Sequence, residues 1–366
     1  MKKLLWLTEN YPPQRGGMAQ SCDRIVDGLR KAGFHIEIIH FTARTSKIQY
    51  KKQQHGGYSA IPFQESEAHV LNIAWNHIET LGKFEGLVCF GGYLSIMAAP
   101  IYAKWGGFPL YTFLRGNDFD TAIFTARKRP ILQEALEQSA KVFAVSTDKV
   151  KRVKAWLPQI DVHYVPNSII VETWQPTESE LSFAANWRKE YVSDKRCLGI
   201  FGQLKPKKGI NLLIDALRKT PLAKKLHLLL IGDTSPELIE LVETYEISFT
   251  HKPFQDRYEL MKYYLCCDAL VIPSYYDGMP NVMLEAGALG KPIVASAVDG
   301  MKDVIEHKKE GLLFRVGNEE ALRKAIYDFC ALSDSELAAM SNYLQNKIKE
   351  QYSLKNEIEA YEKHLA

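Results

Sequence analysis

The sequence predicts an α/β protein of two doubly wound, parallel-sheet domains, and three observations carry that expectation. Short apolar runs alternate with helical patterns from one end to the other. The chain has 366 residues, too many for one ordinary core and suited to two. A polar, proline-punctuated stretch, PNSIIVETWQPTESE over 166–180, separates two such series and reads as a linker.

In the first series KLLWLT (3–8) is a strand and residues 18–32 form a helix. IEIIHFT (36–42), GLVCF (86–90), LYTFL (110–114) and VFAVS (142–146) are the further strands. The second series runs CLGIFG (197–202), LHLLLIG (226–232), ISFTH (247–251), ALVIPS (269–274) and PIVAS (292–296). This βαβα order implies parallel sheets covered by helices on both faces, with ligand expected in a cleft at the carboxyl ends of the strands. Residues 333–366 are helical and charged, with no further strand. Ser333 followed by Glu336 makes a capping box at their start.

Composition excludes several classes. Apolar residues make up 46% and charged residues 24%, a globular balance. The net charge of +3, from 46 basic and 43 acidic residues, does not suit nucleic acid as a partner. Six cysteines are scattered without a C-x-x-C pair, and adjacent Cys266 and Cys267 read as small apolar residues in a helix, a reduced cytosolic pattern. Ten histidines form no ligand cluster, so no metal is expected. The opening MKKLLWLTENYPP is too short in apolar residues for a signal peptide. The apolar stretch 88–114 is broken by Gly91, Gly92, Pro100, Lys104, Gly106, Gly107 and Pro109, which excludes a spanning helix. The expected location is cytoplasmic.

Three segments carry chemistry. In PPQRGGMAQSCDRIVDGL (12–29), Gly16 and Gly17 lie between the first strand and the first helix. They let backbone approach an anion at a helix start, although a tight βα turn needs the same residues. In FGQLKPKKGINLLIDAL (201–217), Lys208 precedes Gly209 and a helix, and its ammonium suits a diphosphate. Lys205 and Lys207 read as solvated charges. In PSYYDGMPNVMLEAGALGKPIVAS (273–296), Pro280 is expected at the first helical position. The amides around Met279, Asn281 and Val282 then face the cleft, backed by the positive helix end. Glu285, four residues after Asn281 and on the same helix face, suits a vicinal diol such as a ribose, and Gly278 makes room for a ligand.

These segments resemble the retaining glycosyltransferases of family 4. Asp277 to Glu285 is similar to that family's acidic motif, two glutamates separated by seven residues, and FGQLKPKKG to its glycine, arginine and lysine stretch. KPIVASAVDGMKDVIEHKKEGLLF, PPQRGGMAQ, RGND and YVPNSI match further family segments in order, over nearly the whole chain. The resemblance implies the glycosyltransferase B fold, two Rossmann-like domains facing a cleft. It divides the chain into an acceptor-side domain over 1–170, with 345–366 packing back onto it, and a nucleotide-sugar domain over 171–344.

It further implies transfer of a hexose, with retention, from a UDP-linked or similar nucleotide diphosphate sugar to a glycan or lipid-linked glycan in surface polysaccharide assembly, without a metal. Glu285 would hold the ribose, Lys208 the diphosphate, and the 278–282 backbone the sugar and phosphates. Gly202, Gln203, Gly16 and Gly17 complete the donor-binding set. Asp277, Arg115 and Asp118 join Lys208 as catalytic candidates.

Two residues and one loop depart from the family pattern. Asp277 and Gln203 stand where glutamate and arginine are usual, and THKPF (250–254) lacks a glycine, which brings His251 or Lys252 toward the base pocket. Asp118 and Asp120 also spell the Asp-x-Asp of metal-dependent transferases, a match too short to weigh against the acidic motif. Lys149, Lys151, Arg152 and Lys154 are either a solvated face or a peripheral contact with the inner face of a membrane. Two alternatives share the architecture: a degenerate nucleotide-sugar-binding protein and a sugar-nucleotide 2-epimerase.

Overall fold

The computed structural model describes residues 2–63, 66–218 and 220–365. Met1–Asn167 with Leu354–Ala366 form one unit, and Ser168–Ser353 form the other. The division thus falls at 167/168 and 353/354, where the sequence placed it at 170/171 and 344/345.

The first unit runs β1 (Lys3–Thr8), α1 (Gly17–Lys31), β2 (His35–Thr42), β3 (Gln49–Gln53), β4 (Gly56–Pro62), α2 (Glu67–Thr80), β5 (Gly86–Phe90), α3 (Tyr93–Gly106), β6 (Leu110–Leu114), α4 (Asn117–Asp120), α5 (Lys128–Glu137), β7 (Ser139–Ala144), α6 (Thr147–Trp156) and β8 (Val162–Tyr164). Its sheet has the order β3-β4-β2-β1-β5-β6-β7-β8, parallel except for β3, which pairs antiparallel with β4. Both faces are buried, as helices on two sides require. Leu4 and Trp6 of β1 enter one core, and Leu5 and Leu7 enter the other. Trp6 stacks on Phe90 at 5.7 Å and meets Phe113 edge-on at 5.4 Å.

The second unit runs α7 (Glu178–Tyr191), β9 (Arg196–Phe201), α8 (Ile210–Leu217), β10 (Leu226–Ile231), α9 (Pro236–Thr244), β11 (Phe249–Lys252), α10 (Arg257–Cys266), β12 (Ala269–Ile272), α11 (Asn281–Ala288), β13 (Ile293–Ser296), α12 (Asp299–Val304), β14 (Gly311–Phe314), α13 (Glu319–Ala331) and α14 (Asp334–Gln351). Its parallel sheet has the order β11-β10-β9-β12-β13-β14. The capping box at Ser333 and Glu336 is present and starts α14, which packs on α11 in this unit. After Tyr352 the chain turns into α15 (Leu354–Leu365), whose Ile358, Tyr361 and Leu365 complete the Trp6 core of the first unit.

Four strands absent from the sequence reading have physical reasons for escaping it. β3 (QYKKQ) is exposed and polar, as an edge strand guarded by lysines should be. β4 opens on two glycines, and β8 and β14 have only three and four residues. The 166–180 stretch is not a free linker either. Its Ile169 pairs with Ser353, and its end already belongs to α7.

Each sheet reverses its strand order once, between β1 and β5 in the first and between β9 and β12 in the second. Such a switch point splays the outgoing loops apart at the carboxyl ends of the strands, which is where ligands bind in doubly wound sheets.

Candidate functional site

In the second unit the loop after β9 carries Gly202, Gln203 and Lys208, and the loop after β12 carries Asp277 to Pro280 into α11. The switch point brings them together: Lys208 Nζ and Asp277 Oδ2 form an ion pair, with side chains 29% and 18% exposed. The approach depends on Gly209, whose φ is +71° and where a Cβ would stand 1.9 Å from the Pro273 carbonyl oxygen. No rotamer relieves that clash, because both partners are backbone. The Tyr275 amide donates to the Lys207 carbonyl at 3.0 Å, a second tie between the loops.

Lys207 is not the solvated charge expected. It is half-buried, its ammonium lies 5.9 Å from the Tyr276 ring centroid, and burial together with neighbouring Lys208 pushes its pKa down. Lys205 is exposed as expected.

Pro280 stands one position earlier than expected. Its φ of −68° and ψ of 132° make it the N-cap, and α11 begins at Asn281. A proline fits there because the cap donates nothing to the helix, while its carbonyl accepts from the Met283 amide at 3.1 Å. Gly278, Met279 and Pro280 are buried, and Asn281 and Val282 are half-buried. Gly278 is itself clamped. Its carbonyl accepts the Gly300 amide at 2.7 Å, and a Cβ on Gly300 would come within 2.3 Å of that oxygen. The rigid backbone so formed ends at a helix start, where amides lack intrahelical acceptors and the dipole favours an anion.

Glu285, in the second turn of α11, is half-buried and accepts from the Tyr264 hydroxyl at 2.6 Å. Tyr264 is fully buried on α10 and meets the Phe201 ring at 4.5 Å and Trp174 at 5.7 Å. Burial and the adjacent Glu285 push its pKa well above that of an ordinary phenol, so the hydroxyl remains a donor. Tyr264 was missed in the sequence because Tyr263 sits beside it and nothing in the chain distinguishes them. Gln203 is exposed, and Gly202 has φ +112° with open space beside it. His251 Nε2 lies 2.9 Å from the Gly232 carbonyl at the end of β10, which fixes its ring.

In the first unit Gly16, at φ +125°, is the N-cap of α1, and Gly17 is its first residue. Glu9, just beyond β1 and not singled out in the sequence, accepts from the Leu94 amide at 2.5 Å and the Ser95 amide at 3.3 Å. It thereby caps α3 across the switch point, and burial raises its pKa.

Arg115 is buried after β6. Nη1 donates to the Tyr361 hydroxyl at 2.8 Å, and Nη2 donates to Asn167 and, at 3.4 Å, to Glu357 Oε1. Asp118 accepts the amides of Arg115, Gly116 and Phe119 at 2.7, 2.6 and 3.2 Å. Asp118 thus shapes its own loop, and Arg115 ties that loop to α15. Asp120 is committed elsewhere: Lys149 Nζ lies 2.8 Å and Arg152 Nη1 3.3 Å from it. Lys149 is completely buried, which removes it from the exposed cationic face expected of that segment. Among the described residues no group of three histidine, cysteine, aspartate or glutamate side chains could hold a metal ion, and no helix is long and apolar enough to cross a membrane.

Comparison with known proteins adds an independent view. Residues 184–351 match the family described as glycosyl transferases group 1. The putative teichuronic acid biosynthesis glycosyltransferase TuaC of Bacillus subtilis is 24% identical over 359 residues, covering 88% of each chain. The structure of a sucrose-phosphate synthase from Thermosynechococcus elongatus superposes with a TM-score of 0.85 at 17% identity, covering 99% of this chain and 98% of that one. HepE of Anabaena, solved in complex with UDP-glucose, gives a TM-score of 0.80 at 17% identity, covering 100% and 99%. At such identities the structural likeness speaks to the fold, which is that of the glycosyltransferase B proteins.

Proposed function

We propose that this chain, whose residues 184–351 belong to the group 1 glycosyl transferases, moves a hexose from a nucleotide diphosphate sugar, UDP-linked, to a hydroxyl of a glycan or lipid-linked glycan in surface polysaccharide assembly. The observation that carries the reading is the meeting of Lys208, Asp277 and the start of α11 at the β9/β12 switch point, with Glu285 one turn inside the helix. TuaC, named for teichuronic acid biosynthesis, supports the glycan setting, and HepE, solved with UDP-glucose, supports the donor class.

Each group has a task in that reaction. Lys208 and the first amides of α11 bear on the diphosphate, where negative charge grows as the glycosidic bond to phosphate breaks. Preorganised donors of this kind contribute about 3–4 kcal/mol to such a step. Glu285 accepts the ribose hydroxyls. Asp277, bonded to Lys208, sets how much of that positive charge faces the leaving group. The acceptor hydroxyl attacks the anomeric carbon from the side the diphosphate leaves, and a departing phosphate oxygen takes its proton, so configuration is retained. In this scheme the positive charge at the diphosphate comes from Lys208 and the helix end, with no metal. Arg115 and Asp118 act by holding the loop after β6 in the first unit, which we assign to the acceptor.

The test is a thermal-shift screen of UDP-, GDP- and ADP-linked hexoses, followed by detection of released nucleotide with and without polysaccharide or lipid-linked acceptors. Stabilisation by one donor and acceptor-dependent release are expected. Binding without release under any acceptor favours the degenerate sugar-nucleotide-binding reading, and the absence of any donor shift overturns the proposal.

A further inference from the structure

The Tyr264 hydroxyl has no function in the reading above, yet everything around it serves to aim it. The ring lies at zero exposure, with Phe201 from β9 at 4.5 Å on one side and Trp174 from the segment leading into α7 at 5.7 Å on another. The Arg257 guanidinium lies 5.5 Å from the Trp174 ring centroid and donates to Thr173 Oγ1. A phenol in an apolar enclosure costs free energy unless its hydroxyl finds a partner, and Glu285 Oε2 at 2.6 Å is that partner.

We propose that Tyr264 is a positioning residue that orients the Glu285 carboxylate for the two ribose hydroxyls of a nucleoside diphosphate, and so sets the preference of this protein for ribonucleotides over deoxyribonucleotides. This rests on the assignment of Glu285 to the ribose. A carboxylate has about four lone-pair directions, and a vicinal diol needs two of them at a fixed tilt. The Cγ–Cδ torsion of a glutamate is soft, so the tilt of its carboxylate plane needs to be held. The short, charge-assisted bond from a clamped phenol to Oε2 restricts that torsion. The hydroxyl stays protonated throughout, because burial and the carboxylate itself hold its pKa up.

The experiment compares Tyr264→Phe with the unaltered protein by calorimetric titration of UDP, GDP and ADP and of their 2′-deoxy and 3′-deoxy counterparts. The readout is the ribo-to-deoxy affinity ratio within each protein, which a general loosening of the fold leaves unchanged. The unaltered protein should prefer the ribonucleotide about tenfold, the usual worth of a hydrogen bond to a charged group. In Tyr264→Phe the ratio should fall to about twofold, with deoxynucleotide affinity retained. Glu285→Gln serves as the second variant. It should abolish the preference alone, and adding Tyr264→Phe to it should change the ratio no further, since the two act as one unit. An unchanged ratio in Tyr264→Phe overturns the positioning role while leaving the ribose site intact. Failure of the unaltered protein to bind any of the three ribonucleotides overturns the assignment of function itself.

Discussion

Glu357 offers a severe test of how α15 is held. It is 2% exposed on α15 and faces two guanidinium groups, Arg24 at 3.2 Å and Arg115 at 3.4 Å. Glu357→Gln preserves shape and an acceptor oxygen but removes the charge. At an effective dielectric of about 20, two opposite charges near 4 Å attract by about 4 kcal/mol. Burying the carboxylate offsets part of this, while removing it leaves Arg115 without its anion. Breaking a buried pair costs about 3–5 kcal/mol in general. Arg115 keeps Tyr361 and Asn167, and Arg24 is partly solvated, so the lower figure applies: about 3 kcal/mol, or about 6–12 °C in the melting of the first unit.

The assay is urea unfolding together with peptide-resolved hydrogen exchange, which assigns the loss to the first unit. Glu359→Gln is the control, since Glu359 is 59% exposed on the same helix and pairs only loosely with Lys355 at 3.8 Å. It should shift stability by less than about 0.5 kcal/mol. A Glu357→Gln loss no larger than that of the control, or one spread equally over both units, refutes the reasoning.

Lys208→Met should lower kcat/KM for the donor about a hundredfold and leave the unfolding midpoint nearly unchanged, because its ion pair is partly exposed. Steady-state nucleotide release with a melting curve checks both. Gly209→Ala should cost more than about 3 kcal/mol in urea unfolding. Gly209→Asn should not rescue it, since the obstacle is the Pro273 carbonyl rather than φ alone. His227 is buried between Ser248 and Thr250, and burial lowers its pKa to about 4. The unfolded chain then binds the extra proton below the ordinary value near 6.5, so stability is complete above that pH and drains away toward 4. About 1 kcal/mol should be lost between pH 6.5 and 5.5, and His227→Gln should flatten that part of the profile.

What could be read in the chain follows from what each residue type declares. GLVCF and ALVI are apolar throughout, as strands covered on both faces require, and both were read as strands. Lys149 could not be read. KVKRVKAW repeats cations on successive positions, and only the placement of Asp120 by α4 decides which one turns inward. Pro280 was misplaced by a single residue because caps and first turns share the same preferences. Glu9 and Tyr264 act through partners far along the chain, Leu94 and Glu285, so no local pattern announces them. The return of the last helix to the first unit was expected from the family resemblance at 344/345, while the switch lies at 353/354, since nothing in the run of charged residues marks where the packing partner changes.

The return of α15 has a consequence in time. The ribosome completes residue 167 long before residue 365, with the whole second unit translated between them. At about 5–20 residues per second that interval is roughly 10–40 s. Throughout it the nascent first unit lacks Tyr361 against Phe113 and Phe143, and Arg115 has no Glu357. The amino-terminal half therefore waits, with an uncovered aromatic face and an arginine lacking its Glu357 and Tyr361 partners, for the last dozen residues to seal it. A chain truncated before Leu354 should be a client for chaperones rather than a smaller version of the first unit.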